Sequence, residues 1–241
     1  MNSLARKMGI LQRAKHDLHR LRYRRAFPEQ FNDWVALRSE TGPGVTLRSY
    51  DELRCIFVHI PKAAGLSVAR TLFENDGGSH LRLVDYAVIF GAADFNRYFK
   101  FTFVRHPETR LASAFTFLKN GGANARDAEW ATQIKLPETD FKTFVRRLAD
   151  EPKLLRWKHL TPQSEFLTMN GSTEHLDYVG RFEQLNKDFE FVAERLDRKV
   201  SLRQENVTKK TGTDYESLYD GETRRIVRDV YRIDFEHFGY E

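Results

Sequence analysis

The chain has a single cysteine, Cys55, in 241 residues. A lone thiol excludes an internal disulfide framework and a thiolate zinc cluster. Long apolar runs are also missing: no stretch of eighteen apolar residues occurs, so the sequence offers nothing to span a bilayer. The start, Met1-Asn2-Ser3-Leu4-Ala5-Arg6-Lys7, meets charge again at Arg13 before an apolar h-region can form. That argues against a secretory signal. No internal repeat or low-complexity tract is visible. These absences read as a soluble, intracellular, cytoplasmic protein. What is present points to a folded body. The mean hydropathy is only −0.58, yet 19 Phe, 9 Tyr and 3 Trp are too many for a disordered chain. The length suits one sizeable core.

The net charge of +5 is unevenly placed. Residues 1–25 carry Arg6, Lys7, Arg13, Lys15, Arg20, Arg22, Arg24 and Arg25 against Asp17 alone, so the remainder is nearly neutral. This basic arm reads as a solvated helix. The alternative is an electrostatic contact with an anionic acceptor, a nucleic acid or a membrane surface, which would make the protein peripheral there. Leu4, Met8, Leu11, Leu18 and Leu21 give the arm a partial helical stripe that could pack on a neighbour. The turn-rich residues 39–44 are the linker candidate. The expected organisation is an arm and linker over 1–44 and one domain over 45–241.

After the linker the grammar changes. Cys55-Ile56-Phe57-Val58-His59-Ile60 is a continuous apolar run closed by Pro61, the mark of a buried parallel strand. Residues 67–75 read as a helix with Val68, Leu72 and Phe73 on one face. Forty residues on, Phe101-Thr102-Phe103-Val104 is a strand, Arg105-His106-Pro107 a loop, and 108–119 a helix. In that helix Leu111, Ala114, Phe115 and Leu118 stripe the core face and Ser113 lies opposite. Asp140 caps a helix to 148, residues 177–182 form a strand, and Leu185, Phe189, Val192, Ala193 and Leu196 stripe another helix. Asp220 starts the last helix, with Ile226, Val227, Val230 and Tyr231 inward. Strands alternating with helices predict an α/β fold with a mainly parallel central sheet flanked by helices. The stretch from about 120 to 160 reads as a helical insertion or lid.

In an open parallel sheet, ligands bind beyond the carboxyl ends of the strands. Two polar loops are expected there. His59-Ile60-Pro61-Lys62-Ala63-Ala64-Gly65-Leu66-Ser67 has the parts of an anion cradle: Gly65 for close backbone approach, a helix opening at Leu66 with unpaired N–H groups, and Lys62 as cation. It is P-loop-like in logic but not a Walker A loop. Arg105 emerges at the same edge, and an arginine fork with the Ser113 hydroxyl suits a terminal phosphate. The plain alternatives are a surface lysine in a turn and an arginine paired with Glu108 or another carboxylate.

Pro61-Lys62-Ala63-Ala64-Gly65-Leu66-Ser67 and Arg105-His106-Pro107-Glu108-Thr109-Arg110-Leu111-Ala112-Ser113 resemble the two signatures of carbohydrate sulfotransferases that use 3′-phosphoadenosine 5′-phosphosulfate (PAPS). The resemblance is to the sulfotransferase family 2 type, related to heparan sulfate 2-O-sulfotransferases. Looser similarity runs through His159-Leu160-Thr161-Pro162-Gln163, Gly180-Arg181-Phe182-Glu183 and Asn206-Val207-Thr208-Lys209, covering about residues 52–241. It implies that Lys62 and the backbone of Ala63, Ala64, Gly65, Leu66 and Ser67 hold the 5′-phosphosulfate. Arg105 and Ser113 would hold the 3′-phosphate, and Asn206, Thr208 and Lys209 would close over the nucleotide. Ala63 and Leu66 stand where the family often has Thr, and His106 replaces the usual Asn or Asp.

Sulfuryl transfer needs a base for the acceptor hydroxyl and a stabilised leaving phosphate. Lys62 and the loop amides serve the second need. For the first, the resemblance points to His80, in the Gly77-Gly78-Ser79-His80 loop between the signatures. His59 reads as a packed, hydrogen-bonded residue, and Glu74 is the substitute base. The implied co-substrate is PAPS with no metal, and the partner a glycan or glycoconjugate acceptor; no nucleic acid is expected as partner. Two other readings stand beside this one. A P-loop-like kinase would need a magnesium-binding carboxylate after a strand, whereas Asp177 precedes its strand. A catalytically inactive polyanion-binding protein would keep the scaffold alone.

Overall fold

The structure is a computed structural model and describes residues 3–169, 171–203 and 215–241, with side chains from residue 13. The chain opens with α1 (Ser3–Ala26) and α2 (Pro28–Ala36), and α3 (Arg48–Leu53) leads into β1 (Cys55–Val58). Then come α4 (Gly65–Leu72), α5 (Leu83–Arg97) and β2 (Phe99–Val104). α6 (Pro107–Lys119), α7 (Ala125–Gln133), α8 (Phe141–Asp150) and α9 (Gln163–Leu167) precede β3 (Tyr178–Arg181). α10 (Leu185–Arg195), α11 (Gly221–Val230) and α12 (Arg232–Phe238) follow.

The strands form a parallel sheet in the order β1-β2-β3, with Phe57 opposite Phe101 and Phe101 opposite Tyr178. All four residues of β1 are buried, as the unbroken apolar run requires. Gly180 lets β3 close on β2, because a Cβ there would stand 2.7 Å from the Phe103 ring. β2 begins two residues earlier than its apolar run. Lys100 is tolerated there because its ammonium donates to the Tyr98 carbonyl at 2.7 Å and meets Asp177 at 3.1 Å. Since the strands are parallel, the loops after Val58, Val104 and Arg181 leave from one edge.

The buried side chains form two hydrophobic cores. One gathers the strands with Val68, Leu72, Tyr86 and Phe189. The other packs the α6 stripe of Leu111, Ala114, Phe115 and Leu118 against Phe141, Phe144, Val227 and Tyr231. The middle of the chain is thus no lid: α7 and α8 supply Ala131, Phe141, Phe144, Val145 and Leu148 to this second core. Asp140 and Asp220 cap α8 and α11, accepting from the N–H of Thr143 (3.0 Å) and Thr223 (2.9 Å).

The arm docks on the body, but not by Leu18 or Leu21. Leu18 and Leu21 stay 47% and 42% exposed. Inside α5, Gly91 adopts φ 69° and ψ 167°, which kinks the helix. His16 Nε2 donates to the Ala87 carbonyl at 2.6 Å and Arg20 Nε to that of Val88 at 2.7 Å. Those are the carbonyls an unbroken helix would pair with the N–H groups of residues 91 and 92.

Candidate functional site

The first loop leaves β1 buried through His59, Ile60 and Pro61. Lys62 (φ 68°) and Ala64 (φ 64°) are left-handed, strain that a non-glycine residue carries only where the surroundings impose it. Ala64 caps α4, which therefore begins at Gly65, one residue before the predicted opening. The backbone N–H groups of Lys62, Ala64, Gly65 and Leu66 find no acceptor among the described residues, so they form a donor nest at a helix start. Ala63 differs, for its N–H turns to the Ile60 carbonyl at 3.4 Å. Ser67 is buried. Gly65 is needed for space rather than φ, since a Cβ there would lie 1.7 Å from the His59 ring.

Lys62 Nζ stands 4.0 Å from the centroid of the Phe117 ring. Burial, then the neighbouring Arg105, brings its ammonium down to about 8, against an opposing pull from Asp127. Nothing in the residue pattern points to Phe117, which lies off the core stripe of α6.

Arg105 follows β2 and is held by its backbone. Its N–H donates to Gln163 Oε1 at 2.9 Å, and Gln163 Nε2 donates back to its carbonyl at 2.8 Å. The guanidinium reaches Thr109 Oγ1 at 3.1 Å and the Lys62 carbonyl at 3.3 Å, and lies 4.1 Å above the Phe182 ring. Glu108 is not its partner; that carboxylate pairs with Arg224. Burial lowers the Arg105 pKa from its ordinary value. Ser113 is half-buried on α6. Beside Arg105, a cavity of about 490 Å³ is lined by His106, Thr109, Tyr215, Tyr219, Arg224 and Arg228.

The residue that joins the loops is Arg110. It is 1% exposed, and its guanidinium donates to the carbonyls of Pro61 at 3.1 Å and Thr161 at 2.7 Å. The second signature contains it, but helical patterning assigns no task to an arginine between core positions. His106 also acquires a role: it packs against Phe235 and Tyr240, and its N–H donates to Glu183 Oε1 at 2.7 Å.

His80 lies against the first loop. Its Nδ1 is 3.1 Å from the His59 carbonyl; a carbonyl only accepts, so Nδ1 carries the proton and Nε2 keeps its lone pair. Burial brings His80 down to about 4. The loop bearing it is fixed, contrary to the flexibility its glycines suggest. Gly77 N–H donates to Asn75, Gly78 N–H to Tyr50, and a Cβ on Gly78 would stand 2.2 Å from the Tyr86 hydroxyl. His59 is packed as expected, yet its Nδ1 has no hydrogen-bond partner among the described residues. His59 and His80 ring centroids are 4.4 Å apart, and His159 is 5.8 Å from His80.

Glu74 does not join this cluster. It is exposed beyond the far end of α4, facing Arg198 at 3.5 Å. Asp177 sits at the opposite edge of the sheet, accepting from the Lys100 N–H at 2.7 Å. Glu183, which does follow a strand, is taken up by His106 and Tyr240. Asn206, Thr208 and Lys209 lie outside the described residues.

The model of the sulfotransferase family matches residues 47–241. The chain belongs to that family. No curated protein and no solved structure gives a match. The matched span takes in both loops of the sulfotransferase, the His80 cluster and the second core, and starts after α1 and α2. Membership makes sulfuryl transfer its chemistry, on an α/β fold whose parallel sheet carries the loops at one edge.

Proposed function

We propose that this sulfotransferase moves the sulfuryl group of PAPS to a hydroxyl of a carbohydrate acceptor. One observation carries the reading: the Arg105 guanidinium touches the Lys62 carbonyl, so two cationic loops converge at one sheet edge. A ligand with two separated phosphate-like groups fits that pair. In this reading the amide nest and Lys62 take the 5′-phosphosulfate, and Arg105 with Ser113 the 3′-phosphate. The adjoining cavity is within the usual size for a small-molecule site and has room for the base. Asn206, Thr208 and Lys209 retain the closing role that the family resemblance gives them.

In the transfer, the acceptor oxygen bonds to sulfur as the bond from sulfur to the phosphate oxygen breaks. The hydroxyl proton passes to His80 Nε2, and the charge left on the phosphate is met by Lys62 and the loop N–H groups. The resemblance to heparan sulfate 2-O-sulfotransferases puts heparan-type polysaccharides first in an acceptor panel.

Calorimetry tests the assignment. Adenosine 3′,5′-bisphosphate should bind without added metal, and Arg105→Ala should cost it about 1.5–3 kcal/mol, the scale of a charge-assisted bond. Adenosine 5′-phosphate should lose far less. Equal losses would remove Arg105 from the 3′ group. A strict magnesium requirement would favour the kinase reading, and failure to transfer label from PAPS to any glycan the inactive one.

A further inference from the structure

A buried carboxylate beside the site has no part in the scheme above. Asp127 is 1% exposed at the start of α7. Its own loop fixes it from behind. Its N–H donates to the Asn124 side chain at 3.0 Å, and its Oδ2 accepts from the Ala123 N–H at 3.2 Å. Gly122 (φ 68°) presses so close that a Cβ there would stand 2.2 Å from the Asp127 Cβ. Oδ1 faces the other way and accepts no hydrogen bond among the described residues. It lies 3.4 Å from His159 Nε2 and 4.0 Å from Lys158 Nζ. His159 is itself buried, and neither of its nitrogens makes a hydrogen bond among the described residues. Its ring is 4.8 Å from that of Phe117, on which Lys62 rests, and 5.8 Å from that of His80.

An unpaired buried carboxylate oxygen is costly to a fold. Here its cost is offset by position, because it looks across two aromatic rings at the two working groups of the site. We propose that Asp127, which lies beside His159, is the counter-charge of the nucleotide-binding cation Lys62, and that its field also reaches the base His80. This rests on the reading of Lys62 as the cation that binds the phosphosulfate.

The groups facing Lys62 are Arg105 from the end of β2, Asp127 from α7, His59 from the end of β1, and His159 from the segment before α9. Those facing His80 are Lys158, Arg110 and Asp127, with His59 and His159 in ring contact. Asp127 is the anion in both sets, and it opposes the effect of burial on each. Its loss therefore makes Lys62 give up its proton at lower pH, and the site loses its grip on an anion there.

The test is bisphosphate affinity of the full chain measured from pH 6 to 10. In the wild type, affinity falls as pH rises through the Lys62 value of about 8. In Asp127→Asn the fall should start at lower pH. A displacement of about half a pH unit gives roughly threefold weaker binding on the alkaline side, with affinity near pH 6 unchanged. A merely structural Asp127 would weaken binding at every pH alike, and that result, or an unmoved midpoint, overturns the proposal. Lys158→Met covers the case in which Asp127→Asn does not fold. This removes a half-exposed cation beside Oδ1, so the fall should move to higher pH, and an unmoved midpoint again overturns the proposal. A wild type that binds no bisphosphate at any pH would instead sink the reading of Lys62, and this proposal with it.

Discussion

Arg110→Met removes a side chain that fastens the first loop to the segment before α9, while keeping most of its volume. In the native protein the guanidinium serves the Pro61 carbonyl at 3.1 Å and the Thr161 carbonyl at 2.7 Å, with His159 O farther off at 3.5 Å. A bond to a charged group is worth about 1.5–3 kcal/mol, and each buried carbonyl left bare costs about 1–3 kcal/mol. Against this, methionine spares the desolvation of a buried guanidinium, which offsets several kcal/mol of the loss. The balance is a destabilisation of roughly 2–5 kcal/mol. For a chain of this size each kcal/mol moves the melting temperature by about 2–4 °C, so a drop of roughly 4–20 °C is expected. Pro61 precedes Lys62, so the freed loop should also bind more weakly. Differential scanning calorimetry reads both effects: the melting temperature alone, and its rise on adding the bisphosphate. Arg110→Lys keeps the charge without the fork and should fall between. An Arg110→Met protein that melts within about 2 °C of wild type and gains as much from the bisphosphate would refute the reasoning.

In the proposed transfer the neutral form of His80 is the base, so kcat/KM should fall as pH drops through the free-enzyme value. Burial puts that value at about 4, and an acid limb centred near 6.5 would contradict it. His80→Ala should cut turnover by roughly 10²–10⁴-fold with little change in bisphosphate affinity, and retention of more than about a tenth would pass the role elsewhere. Gly65→Ala pushes a methyl into the His59 ring and should weaken bisphosphate binding at least ~10-fold, about 1.4 kcal/mol. Adding His59→Ala should restore part of it; purely additive losses would separate the two residues. Deleting residues 1–25 bares the Ala87 and Val88 carbonyls and should lower the melting temperature by several degrees, roughly 1–3 kcal/mol, while bisphosphate binding persists. A folded truncation that no longer binds would make the arm part of the nucleotide site.

What local chemistry decides was legible in the sequence. β1 follows from an apolar run, the α6 stripe from its spacing, and the caps of α8 and α11 from Asp140 and Asp220. α5 was missed, since a glycine at positive φ interrupts its periodicity and residues seventy positions away complete its backbone bonding. The polar face of the arm docks because it meets those carbonyls, which no reading of the arm alone could supply. Lys62, Arg105 and His80 stood out by type and place. Arg110, Gln163 and Asp127 did not, because a buried polar group makes sense only with partners brought from distant segments. The paired glycines of the His80 loop suggest flexibility by composition alone, whereas two tyrosines, Tyr50 and Tyr86, demand them for space.

The two hydrophobic cores share no buried residue, and the Lys62 loop belongs to one while α6 belongs to the other. Heat or denaturant can therefore loosen one body before its companion, unless something ties them. A nucleotide gripped by both loops is such a tie, working like a strap across a joint. Its binding energy then appears as shared melting of two bodies, and acceptor chemistry starts from a frame that the first substrate has made stiff.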